Sequence, residues 1–190
     1  MSLSLLLTSI GIFFVTDTDD LVVLLLLWLA AHGQRQRRTI ILGQYLGIIT
    51  LILASWLISR GMLHFNVAHW THWLGLVPFI LGITGLINWW PARHSQTPPP
   101  RLAQTVSLPL VWSLTIGNGG DNLSIYIPFF TRLTVSEFGG VFLVFLVMVG
   151  LWLGISHRLA RSTTATKFFA RFGAWLSPVL FILVGLLILF

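Results

Sequence analysis

The sequence predicts an all-α fold, a polytopic membrane protein of six transmembrane helices built as two inverted three-helix repeats. Three observations carry that expectation. The chain is 56% hydrophobic and only 8% charged, whereas a soluble domain carries about 25% charged residues. Runs such as LVVLLLLWLAA, ILGQYLGIITLILASWLI and WLSPVLFILVGLLILF are long enough for a hydrocarbon core of ~30 Å. Four of the five acidic residues sit in two short motifs that interrupt such runs.

The spans fall at roughly 3–30, 40–59, 73–90, 106–131, 138–156 and 172–190, by apolar length against the bilayer core. The first span holds Thr16-Asp17-Thr18-Asp19-Asp20 and the fourth holds Gly117-Asn118-Gly119-Gly120-Asp121-Asn122. Acidic or Gly-Gly segments at that depth unwind a helix, and freed backbone groups are tolerated only where they line a cavity or are buried in protein. The second span carries Gly43-Gln44-Tyr45-Leu46-Gly47, where small residues allow close helix contact around two polar side chains. Gln44 and Tyr45 serve either as pathway lining or as packing glue. Tyr126 and Asn88 read more readily as packing or interface residues. No basic leader precedes the first apolar stretch, so a cleaved signal peptide is not expected.

The halves are residues 1–92 and 106–190, joined by a Pro-rich linker over 93–105. Asp19-Asp20-Leu21 aligns with Asp121-Asn122-Leu123, Thr16 then falls on Asn118, and Pro78 and Gly85 fall opposite Pro178 and Gly185. Each half has an odd number of spans, so a repeat is inverted in the membrane, with its site at the interface of the halves.

Orientation follows from the basic residues. Arg35, Arg37, Arg38, Arg93, Arg101, Arg158, Arg161, Lys167 and Arg171 lie in loops on one side, and only Arg60 and Arg132 on the other. The positive-inside rule places those loops in the cytoplasm and both termini outside the cell membrane. The net charge of +6 is thus a topology and lipid signal, and nucleic acid is not an expected partner.

A carboxylate at the centre of a span costs roughly 2.5–3.5 kcal/mol on insertion scales, so three in one helix and one in another point to a cation site or a proton relay. Thr16 and Asp20 share a helical face, Asp17 is adjacent to Asp20, and Asp19 points to one side. Asn118 and Asn122 repeat the spacing beside Asp121. Together Asp17, Asp19, Asp20, Asn118, Asp121 and Asn122 form an oxygen-rich set suited to a divalent cation. Thr16, Gln44, Tyr45, Gly119 and Gly120 stand beside them as pathway or supporting residues. The competing reading is that Asp and Asn merely cap broken half-helices. His64, His69 and His72 cluster between the second and third spans, where FNVAHWTHW reads either as a metal site or as an interfacial segment anchored by tryptophan.

The chain has no cysteine, which excludes disulfides, thiolate metal sites and dithiol chemistry. Nothing matches G-x-x-x-x-G-K-[ST] or a His-Glu metalloprotease motif, so neither ATP-driven pumping nor enzymatic activity is expected, and no cofactor.

The segments TSIGIFFVTDTDDLVVLLLL, GQYLG, LGLVPFILGI and GNGGDNLSIYIPFF resemble the cadmium resistance transporter family, of the lysine-exporter superfamily of secondary transporters. The resemblance runs from Thr8 to the last span. It implies export of cadmium and other heavy-metal cations, with Asp17, Asp19, Asp20, Asn118, Asp121 and Asn122 at the family's motif positions. The family's first motif often carries Asn where this chain has Asp17. Oxygen ligands alone suit manganese, calcium or zinc equally, and cadmium rests on the resemblance. The expected function is export of a divalent metal by proton antiport. The alternative is export of an organic cation or amino acid, whose ammonium group the carboxylates would pair. The sequence leaves open whether the chain works as a homo-oligomer.

Overall fold

The computed structural model describes residues 2–64, 73, 75–92, 106–162, 178–186 and 188–189, with backbone alone for 88–92. These residues fold into helices α1 (Leu3–Thr16), α2 (Asp20–Ala30), α3 (Gly33–His64), α4 (Leu76–Ala92), α5 (Leu108–Asn118), α6 (Gly120–Thr131) and α7 (Val135–Ala160), and residues 178–186 are helical as well. His69, His72, the linker over 93–105, the side chain of Asn88, the basic residues Lys167 and Arg171, and the start of the last span lie outside the described residues.

Local chemistry sets the helix ends. The Ser2 hydroxyl accepts from the Leu5 N–H, and the Ser107 hydroxyl accepts from the Leu110 N–H ahead of Pro109 in the first turn of α5. Both supply a partner to an otherwise orphaned donor. Thr134 and Glu137 form a reciprocal capping box on α7. This gives Glu137, the one acidic residue outside the two motifs, a structural task. Gly33 has φ +80, a conformation L side chains avoid, and it permits the short turn from α2 into α3.

The first and fourth expected spans are each split. Helix α1 stops at Thr16 and α2 starts at Asp20, while α5 and α6 are separated by Gly119. In the first break the Thr18 hydroxyl donates to the Phe14 carbonyl, and Thr16 donates to the carbonyls of Ile12 at 3.1 Å and Phe13 at 3.3 Å. The Asp17 carbonyl has no helical partner, and the Trp152 indole N–H donates to it at 2.6 Å. A side chain from another helix thus meets the demand that a broken helix creates.

Packing crosses between the halves. The long helix α3 packs on α5 and α6, and the long helix α7 packs on α1 and α2. Each split helix therefore rests on the unbroken helix of the opposite half. Gly43 and Gly47 make the first contact possible. A Cβ on Gly43 would lie 2.6 Å from Val111 Cβ, and one on Gly47 would lie 2.6 Å from Thr115 Cβ. A second close contact joins α4 to the C-terminal helical residues. Gly75 approaches the Gly185 carbonyl, and Gly82 and Gly85 approach Pro178, in antiparallel order. Small residues of this kind hold helices together where no hydrophobic force acts between them.

Two pairs of helix ends share one shift in numbering, whereas the starts of α1 and α5, the starts and ends of α2 and α6, and the ends of α3 and α7 do not. Thr16 closes α1 as Asn118 closes α5, and Gly33 opens α3 as Val135 opens α7. That is the same shift that carries Asp19 onto Asp121.

Helices α3 and α7 are long and apolar enough to cross a membrane, and only 28% of the apolar window of α7 is buried. Leu143, Val147, Leu151 and Ile155 form an exposed stripe at four-residue spacing. Helices α1, α2 and the first part of α4 are shorter apolar elements. Arg60, one of the two basic residues on the less basic side, stacks on Trp56 at 3.8 Å and donates to the carbonyls of Phe130 and Leu133 at 3.1 and 2.6 Å. It satisfies the C-terminal end of α6, which explains a cation that orientation alone does not require.

Candidate functional site

The two breaks face each other, and their side chains hydrogen-bond across the gap. Two linked groups result. In the first, Asp17 Oδ2 accepts from the Thr16 hydroxyl at 2.9 Å, the Tyr126 hydroxyl at 3.2 Å and Asn122 Nδ2 at 3.4 Å. Asn122 Nδ2 also reaches the Tyr126 oxygen at 3.1 Å. In the second, Asp20 Oδ2 accepts from Gln44 Nε2 at 2.9 Å and Asp20 Oδ1 accepts from Asn118 Nδ2 at 3.1 Å. Gln44 Oε1 in turn accepts from the Thr115 hydroxyl at 2.9 Å. Thr16, Asp17, Asp20, Gln44, Thr115, Asp121, Asn122 and Tyr126 are all buried.

Asp19 and Asp121 complete the acidic set without joining either group. Asp121 Oδ1 accepts from the Asn122 N–H at 2.8 Å, and it lies within electrostatic range of Asp19 and Asp20. Asp17 Oδ1 and Asp19 Oδ1 are buried with no hydrogen-bond partner. The charges that act on Asp17 are those of Asp20, Asp121 and Asp19, all of one sign. A buried set of like charges with two idle oxygens is suited to taking up positive charge, as a metal ion or as protons.

Among the described residues no three Asp, Glu, His or Cys side chains converge closely enough to hold a metal ion by themselves. Asp17 and Asp20 fall in separate groups, each backed by amides and hydroxyls, and Asp19 and Asp121 stand outside both. A cation held here therefore draws on the carbonyl oxygens of Asn118, Asn122 or Gln44 as well as on carboxylates, a ligand mix that hard cations accept.

The glycines of the second motif differ in what they do. Gly119 has φ −73, so its conformation does not demand glycine, but a Cβ there would collide with Leu51 of α3. Gly120 faces open space. Of the polar pair on α3, Gln44 reaches the site and Tyr45 does not. The Tyr45 hydroxyl donates to the Leu146 carbonyl of α7 at 3.2 Å and packs beside Gly150.

Three residues in or against the site were not singled out for it by sequence. Thr115 lies three residues before Asn118 and seven before Asn122, so helical spacing could have placed it on their face. Tyr126 read as a packing residue, yet its hydroxyl lies among Thr16, Asp17 and Asn122. Trp152 carries no local sign of its contact with Asp17.

Searches among curated proteins and among solved structures returned no match. The family comparison did, over residues 13–190, a stretch that holds both breaks and every residue of the two hydrogen-bonded groups. With its apolar helices and its buried acidic residues, this chain belongs to the cadmium resistance transporter family.

Proposed function

We propose that this protein exports divalent heavy-metal cations, cadmium first among them, from the cytoplasm by exchange for protons. The observation that carries the reading is the pairing of Asp17 with Asn122 and of Asp20 with Asn118 across the two helix breaks. A carboxylate ligates metal only when ionised. An ionised set this deeply buried needs compensating positive charge. Metal and protons are then alternative occupants, so release of one favours entry of the other. Zinc and manganese fit an oxygen site on the same grounds, and cadmium is preferred from the family to which the chain belongs.

In reconstituted vesicles, collapsing the pH gradient should slow metal flux, and unlabelled cadmium should compete for it better than manganese. Uphill transport at full speed with the proton, electrical and all other ion gradients abolished would reject exchange.

The architecture we infer is six spans in two inverted repeats, in the cell membrane, with both termini outside. The exchange of long helices between halves, with one shift shared by the two breaks' first helices at their ends and by the long helices at their starts, supports the repeat. The distribution of basic residues supports the orientation. A single cysteine at Ser162 should stay unlabelled by an impermeant thiol reagent in intact cells and react after permeabilisation. Labelling in intact cells would overturn the orientation.

A further inference from the structure

A cavity of about 390 Å³ lies between α2, α3 and α7, away from the acidic groups. Its walls are apolar where Trp28, Ile41 and Leu153 meet, Gly154 leaves part of its α7 side open, and the Tyr45 hydroxyl lies over Gly150. It opens to the surface at Arg37 and Gly154, which are both exposed. A Cβ on Gly154 would meet nothing within 4 Å.

The polar end is formed by Arg37 and His157. The Arg161 Nη2 atom lies 3.1 Å from His157 Nε2. A guanidinium can only donate, so Nε2 is the acceptor and the ring proton of a neutral imidazole sits on Nδ1. That Nδ1 is buried and has no hydrogen-bond partner. The Trp28 ring lies against His157 at 4.6 Å and its own N–H is held by the Ser156 hydroxyl at 3.0 Å, which fixes this wall. A turn of the His157 ring would bring this buried N–H to the groove beside the Arg37 guanidinium, and with the apolar slot the pair describe an amphiphile with an anionic head.

We propose that this groove binds an acidic phospholipid of the leaflet facing the basic loops, phosphate at Arg37 and His157 and acyl chain along Leu153 and Gly154. Free phosphate shares the head chemistry but leaves the apolar wall wet. The position fits a lipid: the groove lies at the basic end of α7, beside the exposed stripe that includes Leu151 and Ile155. Juxtamembrane cations attract anionic lipid at such a depth. The proposal rests on the membrane-spanning reading of the chain but not on its transport chemistry.

The test is lipid binding to the purified full chain in neutral detergent, followed by native mass spectrometry. Dioleoylphosphatidylglycerol should bind about tenfold more tightly than dioleoylphosphatidylcholine, because both carry the phosphate and only the second adds a choline cation that Arg37 and Arg161 repel. Arg37→Gln and His157→Phe should each remove most of that preference, and Gly154→Leu should block the slot. Arg132→Gln, a cation at the opposite end, should leave the preference intact. Arg37 and Gly154 are exposed, so Arg37→Gln and Gly154→Leu test the groove without endangering the fold. Equal binding of the two lipids, a preference that survives Arg37→Gln with His157→Phe, or displacement of the glycerol lipid by millimolar inorganic phosphate would each overturn the assignment. Lost lipid preference with intact metal–proton exchange would remove this site alone, whereas lost exchange with intact lipid preference would remove only the transport mechanism.

Discussion

Cells carrying Asp20→Asn should lose metal resistance while keeping normal amounts of the protein in the membrane. Asp20 receives one hydrogen bond on each oxygen, from Gln44 and from Asn118. Asparagine keeps the volume and offers one acceptor and one donor. Gln44 can turn its amide to match, because the Thr115 hydroxyl that holds its oxygen has a second acceptor in the Val111 carbonyl at 3.1 Å. Losing a buried charge also lowers the cost of insertion. Folding should therefore survive. Function should not, because a ligand and a compensating negative charge vanish together. Supporting residues of metal sites already cost 10–100-fold when removed, so a loss on the order of 100-fold in transport is expected for a direct ligand. Asp121→Asn should act in the same direction. Glu137→Gln is the control, since a capping box accepts Gln in place of Glu. Resistance retained by both Asp variants at normal abundance would show that the carboxylates only cap the broken helices.

Gly47→Leu should be the most damaging substitution on α3. The Cβ alone would sit 2.6 Å from Thr115 Cβ and Cγ2, with helix backbone behind both. Overpacking of a tight contact costs about 1–3 kcal/mol and sometimes more, and here relief requires α3 and α5 to part. Parting them pulls Gln44 away from Asp20 and Thr115, so the site opens along with the interface. Low abundance in the membrane and lost resistance are both expected. Gly61→Leu on the same helix meets nothing within 4 Å and should be tolerated. If the two variants behave alike, the closeness of α3 to α5 is not what holds the site.

Much of this arrangement could be read in the sequence because buried charge is costly and so marks its own location. Asp17, Asp20, Asn118 and Asn122 announced the site and both helix breaks. The glycines at 43 and 47 announced a close helix contact, though not its partner. Tyr45 shows what pattern reasoning can overlook. Adjacent residues on a helix point about 100° apart, so Gln44 and Tyr45 could not both face one cluster, and the structure turns Tyr45 toward α7. Thr115 and Trp152 were hidden for another reason. Each matters through a contact with a helix far away in sequence, and nothing local tells which helices meet. The alignment of Pro78 with Pro178 pairs equivalent positions of the two halves and does not by itself name a contact. In the structure Pro178 packs against Gly82 and Gly85, in the antiparallel sense.

The exchange of long helices between halves dictates an order of assembly. Apart from Thr16 and Gln44, every side chain that donates to Asp17 or Asp20 lies beyond residue 117. A chain made from its N-terminus must therefore place α1, α2 and α3 in the bilayer while Asp17 still lacks Tyr126 and Asn122. The Asp17 carbonyl waits longer still, for Trp152. The first half is an unfinished product during synthesis, and its acidic break lacks these partners until α6 and most of α7 have been made.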